Sequence, residues 1–340
     1  MLKAGVIGVG AMGQHHARVY AQLEDVDLVG VADPCHDAGR QIARLYHGKA
    51  YSDYQKLLAE ARPDLVTIAV PTALHCEVVC AALTAGCHVL VEKPIASTEQ
   101  EAWQMIDCAE QVGRVLMVGH IVRFDAAVQV LKAQLDAGDL GRIFQVRCRR
   151  LGPFPPRVKD VGVIVDLATH DLDLLRYITG EEAVRVYAET EQQIHSAYED
   201  ILAGTIRLRN GIIGMLDVNW LTPSKIRELT VTGERGMYLV DHLTQDLYFY
   251  ENAEANRERW ATMSLLRGVS EGRMIRFPVH KHEPLRAELE AFTAAVRNET
   301  PPPVDGRDGV AALRLAEALM RSGREGRSIT LEPWIPKETK

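Results

Sequence analysis

A short apolar run, Ala4-Gly5-Val6-Ile7, leads directly into Gly8-Val9-Gly10-Ala11-Met12-Gly13, and a helical stretch from Met12 to Leu23 follows. Each glycine has a separate physical reason. Gly8 permits a tight turn, Gly10 lets the backbone approach a pyrophosphate, and Gly13 lets the helix pack closely on the strand. The helix N-terminus offers free N–H groups and a positive dipole end to phosphate. A second apolar run, Leu28-Val29-Gly30-Val31-Ala32, closes on Asp33, about 20 residues beyond the glycines, as the pattern requires. There a carboxylate accepts bonds from ribose hydroxyls and repels a 2′-phosphate. The segment predicts a dinucleotide site that takes NAD rather than NADP, built on Gly8, Gly10, Ala11, Met12, Gly13 and Asp33.

The alternation continues. Apolar strand-like runs recur at Leu65–Val70, His88–Val91 and Val115–Val118, with a weaker one at Lys49–Tyr51. Helical stretches fill the gaps. Ser52 with Gln55 and Ser97 with Gln100 read as capping boxes, and Gly86 and Gly113 as helix stops. Continuous apolar strands between helices mean a parallel sheet covered on both faces, with its ligand at the carboxyl ends. Residues 1–120 are therefore a doubly wound α/β domain.

Beyond Gly138 the pattern changes to longer, alternating strands. Ile143–Arg150 and Val184–His195 are two of them. Glu199–Arg209 and Ile212–Leu221 are joined by Asn210-Gly211, a strong hairpin signal. Ile226–Thr232, Met237–Val240 and Leu247–Tyr250 follow. One helix, Val163 to Thr179, comes early, and two more, Glu283–Arg297 and Arg307–Arg321, come late. Residues 121–340 read as an α+β domain with a large, mostly antiparallel sheet, its late helices packing back towards the first domain. Glu251–Arg273 is charged and irregular.

With 340 residues, two such domains are the expectation. A net charge of −7 gives no support to nucleic-acid or anionic-membrane binding. No apolar stretch approaches the roughly 18 residues that span a bilayer, and no signal-peptide pattern is present. Six cysteines scattered through core-like segments suggest free thiols in a reducing cytoplasm. His75, Cys76, Cys80, Cys87 and His88 match no defensible zinc spacing, so no metal is expected.

Three features carry chemistry. Glu92-Lys93-Pro94 stands at the ligand end of the fifth strand, where a lysine can donate to a substrate hydroxyl and favour its alkoxide; by itself Lys93 is equally a solvated loop residue. Asp166 and His170 lie four apart on one helix, a carboxylate beside an imidazole as a general base needs. With Asp173 and Tyr177 they form a narrow polar stripe, which alone is either a ligand-facing wall or a solvent face. Asp171 falls inside the apolar arc and requires a hydrogen-bond partner that the sequence does not name. Val70-Pro71-Thr72-Ala73-Leu74-His75 ends the fourth strand, with Thr72 either a helix cap or part of a cofactor-lining loop.

Taken in order, the glycine loop, Pro71-Thr72 with His75, Glu92-Lys93-Pro94, Arg123-Phe124 and Asp166 with His170-Asp171 resemble the Gfo/Idh/MocA oxidoreductases. The resemblance covers nearly the whole chain. It implies a Rossmann domain followed by an α+β domain, assembly into homodimers or homotetramers through the large sheet, and oxidation or reduction of a sugar or cyclitol hydroxyl with NAD(P). Carried over by position, Lys93 holds the reacting hydroxyl, His170 is the acid/base, and Asp166 binds substrate or orients His170. Val70, Pro71, Thr72, His75, Glu92, Lys93, His120 and Arg123 join the glycine loop and Asp33 around the cofactor.

A finer resemblance concerns Arg149 to Arg157, Asp160 to Val163, Asn219-Trp220-Leu221-Thr222-Pro223 and Leu243 to Leu247. These segments are similar to the branch that oxidises UDP-N-acetylglucosamine at C3, whose keto product passes to a pyridoxal-phosphate aminotransferase. A diphosphate needs cationic partners, and Arg149, Arg150 and Arg157 are candidates. Arg150 extends an otherwise apolar strand face, or simply leaves the sheet at the strand end. Two alternatives stay open: a dehydrogenase of free inositol or hexose, and a non-catalytic binder of dinucleotide or sugar.

Overall fold

A computed structural model of the chain describes residues 1–155, 161–194, 197–252 and 271–333. The chain divides into two compact units, residues 1–121 with 283–314 and residues 122–282 with 315–340.

In the first unit the apolar runs become β1 (Leu2–Ile7), β2 (Val26–Ala32), β3 (Lys49–Tyr51), β4 (Leu65–Ile68), β5 (His88–Glu92) and β6 (Leu116–Gly119). They form one six-stranded sheet in the order β3-β2-β1-β4-β5-β6, with every neighbour parallel. β4 and β6 are buried along their whole length, as strands covered on both faces must be. The strand order reverses between β1 and β4, the switch point at which such sheets bind ligands. The connecting helices are α1 (Gly13–Tyr20), α2 (His36–Leu45), the short α3 (Tyr54–Lys56), α4 (His75–Thr84) and α5 (Glu99–Val112). The late helix α8 (Pro284–Asn298) also belongs to this unit and packs on α1.

Both expected starts are capped one residue further on, at α5 by a full capping box and at α3 by a single cap. Thr98, not Ser97, accepts from the Glu101 N–H, and the Glu101 carboxylate accepts from the Thr98 N–H. Asp53, not Ser52, caps α3 by accepting from the Gln55 N–H. The sequence offers acceptors at adjacent positions in each case, and the extended backbone of Thr98 and Asp53 decides between them. Gly113 ends α5 in the left-handed region at φ 63°, as expected of a glycine stop.

The second unit holds β7 (Ile143–Pro153), β8 (Ala183–Glu191), β9 (Ile201–Leu208), β10 (Ile213–Asn219), β11 (Leu221–Gly233), β12 (Gly236–Asp241), β13 (Asp246–Asn252), β14 (Glu271–Arg276) and β15 (Ile329–Thr330). They form a nine-stranded sheet in the order β14-β13-β12-β11-β7-β10-β9-β8-β15. β7 and β10 run parallel, and the other neighbours are antiparallel. Asn210-Gly211 turns β9 into β10, with Gly211 at φ 92°.

Helices α6 (Ala126–Asp136) and α7 (Thr169–Thr179) lie in this unit, and α9 (Gly306–Glu325) comes late in the chain. α7 packs against the sheet face formed by Val146, Cys148, Leu216, Val218 and Leu229. Close approach occurs at Gly214, where an added Cβ would stand 3.1 Å from Leu175. The other face is open: Ala203, Thr205 and Arg207 alternate outwards along β9. β14 emerges from the stretch that reads as irregular. Residues 253–270, and His195 at the end of the expected β8 run, lie outside the described residues.

Candidate active site

The glycine loop begins where β1 ends. Gly8 has φ 87°, and a Cβ there would meet the Ala69 carbonyl at 2.6 Å. A Cβ on Gly13 would stand 1.8 Å from the Gly8 carbonyl, so the loop and α1 touch backbone to backbone. Gly10 differs: no atom lies within 4 Å of its would-be Cβ. That open approach is the fit a pyrophosphate requires, since its oxygens must come within hydrogen-bond reach of the loop N–H groups. Ala11 and Met12 are exposed beside it, and the first turn of α1 carries no acid to oppose a phosphate.

Asp33 stands at the carboxyl end of β2. Its carboxylate accepts from the Val9 N–H and from the Cys35 N–H, each at 2.8 Å. The first bond ties it to the glycine loop. Lone pairs left on the two oxygens can take ribose hydroxyls.

The other strand ends contribute unequally. Val70 and Thr72 are half-buried and Pro71 is exposed. Thr72 opens a 3-10 turn and makes no capping bond, so its reading as a cap is corrected. His75 is also corrected. It is 1% exposed, and both ring nitrogens face carbonyls: Nε2 that of Val70 at 3.0 Å, Nδ1 those of Pro94 and Ile95 at 3.0 and 3.1 Å. Burial lowers its pKa, while the three carbonyls pull the other way. The ring braces the β4 loop against the segment after Lys93 and leaves no nitrogen for a cofactor. Lys93 is half-buried at the end of β5, after Glu92. His120 follows β6 and is 2% exposed.

Glu92 makes a contact that sequence reasoning missed. Its Oε1 lies 2.8 Å from Nε2 of His16, whose side chain is wholly buried on α1. Its Oε2 accepts from the Lys93 N–H at 3.2 Å. Burial alone would raise the Glu92 pKa, but His16 and Lys93 outweigh it and leave the carboxyl below its ordinary value. The only signal in the sequence was a histidine on the buried face of the first helix.

The residues expected to supply acid and base lie in the second unit. A widened turn, Ile164–Ala168, leads into α7 and carries Asp166, while His170 sits in the first turn of α7. Both are half-buried, between wholly buried Ile164, Ala168 and Leu172. Glu199 holds the entrance: its carbonyl accepts from the Val163 N–H at 2.9 Å and its Oε1 from the Ile164 N–H at 3.2 Å. A half-buried carboxylate bonded to that turn was not legible in the sequence.

The rest of the expected polar stripe is structural. Asp173 is 1% exposed and accepts from the Nε of Arg123 at 2.7 Å. The Arg123 guanidinium lies 4.9 Å from the Tyr177 ring centroid. Arg123, expected at the cofactor, is instead 7% exposed and engaged by Asp173.

The two strand arginines are corrected in the same way. Arg150 is 7% exposed and donates through Nε and Nη2 to Asp171, at 3.0 and 2.7 Å. Burial pulls its pKa down, and Asp171 outweighs that to leave it raised. This pair supplies the partner that Asp171 required. Arg149 points to the other sheet face, where Glu228 accepts at 2.9 Å and Asp217 lies at 3.6 Å. Arg157 lies outside the described residues.

Arg227, which sequence reasoning passed over, sits in register with Arg150 on the adjacent strand. Its Nη1 donates to the carbonyls of Leu151 and Ile226, and among the described residues it forms no carboxylate ion pair. Burial, then the neighbouring Arg150, bring its pKa down to about 10, while the charges of Asp171 and Asp166 oppose them.

Among the described residues no group of three or more His, Cys, Asp or Glu is placed to hold a metal ion. No described helix is long and apolar enough to cross a membrane.

A doubly wound sheet with an open glycine loop and an acid at the end of β2, followed by a large mixed sheet, defines a two-domain NAD-binding oxidoreductase. Residues 2–120 match the family model described as oxidoreductase family, NAD-binding Rossmann fold, and residues 132–331 match its C-terminal alpha/beta domain. The chain belongs to the Gfo/Idh/MocA oxidoreductase family. It is 32% identical to the UDP-N-acetylglucosamine 3-dehydrogenase of Acidithiobacillus ferrooxidans, over 93% of this chain and 95% of that protein. A crystal structure of that enzyme superposes with a TM-score of 0.84, covering 94% of this chain and 97% of the other. The myo-inositol 2-dehydrogenase of Thermotoga maritima is 28% identical over 98% of this chain and 100% of its own. The WlbA dehydrogenase of Bordetella pertussis, solved with NADH and UDP-GlcNAcA, is 25% identical with a TM-score of 0.79, covering 98% of this chain and 99% of the other.

Proposed function

We propose that this protein oxidises a secondary hydroxyl of a nucleotide sugar with NAD, and that the substrate is UDP-N-acetylglucosamine, oxidised at C3. The observation that carries the reading is the similarity to the Acidithiobacillus enzyme over nearly the full length of both chains, with Lys93, Asp166 and His170 all present. Bound NAD supplies a two-electron acceptor at its nicotinamide ring. The chain supplies the rest. Gly8, Gly10 and Gly13 with Asp33 hold the dinucleotide. Lys93 donates to the reacting hydroxyl and stabilises the negative charge that develops on its oxygen. His170 takes the hydroxyl proton, and Asp166 orients its ring or binds the sugar.

A diphosphate also needs cationic partners. Arg150 and Arg149 are engaged by carboxylates. Arg227, bonded to carbonyls alone, is the better candidate. The keto sugar would then pass to a pyridoxal-phosphate aminotransferase, in the cytoplasm.

The similarity to the Thermotoga inositol dehydrogenase supports a second reading, oxidation of a free cyclitol or hexose. NADH formation with UDP-N-acetylglucosamine, its uronic acid, myo-inositol and glucose separates the two, with an aminotransferase and glutamate added to draw off the ketone. Turnover confined to UDP-N-acetylglucosamine supports the first reading, and turnover with a free sugar replaces it with the second. NAD binding with no turnover across the panel would favour a non-catalytic binder. Lys93→Ala and His170→Ala should each lower kcat by about 100-fold or more, while NAD binding stays within twofold. Near-normal turnover would remove that residue from the mechanism.

A further inference from the structure

The loop that carries Lys93 rests on a buried polar cluster that the proposed chemistry does not use. His16 and Tyr20 lie one turn apart on α1. The His16 side chain is wholly buried, and its Nδ1 has no hydrogen-bond partner. Tyr20 is also wholly buried, with its hydroxyl 2.9 Å from that of Thr67 on β4. Glu288, on α8, is 1% exposed, and among the described residues neither carboxyl oxygen has a partner. A buried carboxyl with no hydrogen bond is rare, because each lost bond costs about 1–3 kcal/mol, and more for a charged group. The Glu92 charge reaches it, and it lies close enough to Tyr20 for its own charge to be felt there.

The hydrogen bonds can be assigned. An ionised carboxylate cannot donate, so Nε2 of His16 carries the proton shared with Glu92 Oε1. The other Glu92 oxygen takes the Lys93 N–H. One carboxylate thus ties the end of β5 to α1, the helix that the glycine loop opens. The charges can be assigned as well. A buried carboxyl that feels the charge of a second carboxylate is held in its neutral form. Glu92, with a histidine and a lysine beside it, keeps the negative charge. Glu288, with no partner, keeps its proton, because burial and the Glu92 charge both oppose its loss.

We infer that His16 and Glu92 are positioning residues for Lys93: His16 holds Glu92, and Glu92 fixes the Lys93 backbone and brings a negative charge to act on its ammonium. This rests on the reading that Lys93 donates to the reacting hydroxyl, which requires the lysine to stay protonated. The titratable groups acting on Glu92 are His16 from α1 and Lys93 itself, and Glu92 in turn acts on Glu288 from α8.

The experiment is the pH dependence of Lys93 modification by an amine-reactive reagent, read by mass spectrometry on the full-length protein, beside kcat and KM. Glu92→Gln keeps the shape and removes the charge. It should move the Lys93 midpoint down by about half a pH unit or more, with the alkaline limb of kcat moving with it, and lower kcat about tenfold. His16→Ala should lower kcat similarly, and His16→Gln, which keeps a donor, should recover most of the loss. Glu288→Gln, replacing one neutral group by another, should leave the midpoint where it is.

A Glu92→Gln midpoint equal to wild type, with kcat within twofold, would overturn the inference. So would equal losses in His16→Ala and His16→Gln, and the histidine pair decides alone if Glu92→Gln does not fold. Labelling needs no turnover. A shifted midpoint in a protein silent towards every sugar of the panel would leave the inference standing and overturn the substrate reading.

Discussion

Glu288 makes the stability of this protein depend on pH in a direction opposite to most carboxylates. Its folded pKa is raised, by burial first and by Glu92 second. Between the ordinary value near 4.3 and that raised value, the unfolded chain loses the proton while the folded chain keeps it, so stability falls as pH rises. The loss accumulates at up to about 1.4 kcal/mol per pH unit and stops above the folded pKa. Glu288→Gln should therefore melt higher than wild type at pH 7, with the gap closing as the pH is lowered to about 4.3. Equal melting temperatures at both pH values would show that Glu288 ionises normally. Arg150 provides a second case. Replacing it by Met leaves Asp171 buried without its cation, at a cost of about 3–5 kcal/mol. The expected outcome is a large drop in melting temperature, with the KM for the sugar little changed in the folded fraction. A raised KM with an unchanged melting temperature would return Arg150 to the substrate.

The turn from β1 into α1 concentrates the most demanding geometry in the chain. Gly13 cannot take a side chain unless the loop moves, because its Cβ would stand 1.8 Å from the Gly8 carbonyl. Gly13→Ala should weaken NAD binding at least tenfold, by about 1.4 kcal/mol or more, as measured by titration calorimetry. Gly10→Ala, which meets nothing in the protein, should fold normally and lose affinity only through contact with the cofactor. α7 shows the limit of periodicity. The sequence groups Asp166, His170, Asp173 and Tyr177 on one stripe, and spacing says nothing about which of them meets a cation. Arg123 lies 50 residues from Asp173 and stacks on Tyr177, which turns half of the stripe into core, and Arg150, 21 residues from Asp171, supplies the partner in the apolar arc.

The two units differ in what they leave uncovered. The parallel sheet has helices on both faces. The nine-stranded sheet has one face packed and one lined by Thr205, Arg207, Arg149 and Asp217. An antiparallel sheet tolerates water on one face, but a surface of this size is also where a second copy can bind. We propose assembly into a dimer or tetramer through that face. Light scattering after size exclusion should give the mass of two or four chains, and charge reversal at both Arg149 and Arg207 should reduce it. A monomer at all concentrations would rule the assembly out.

The glycine loop, Asp33, the strand–helix alternation of a doubly wound domain and the Asn210-Gly211 hairpin were legible because each depends on neighbours in sequence. Turn geometry, helix periodicity and strand alternation are local, and their residue types are few. The cap positions were legible only to within a residue, since Ser97 and Thr98 offer the same oxygen and the backbone chooses. The partners of buried charges were not legible at all. Arg123, Arg150, His75 and the His16–Glu92 pair are settled by which side chains the folded chain brings within about 3 Å, the reach of a hydrogen bond. A buried charge must find such a partner or lose its proton, and only the tertiary structure could show that Asp171 found one and Glu288 did not.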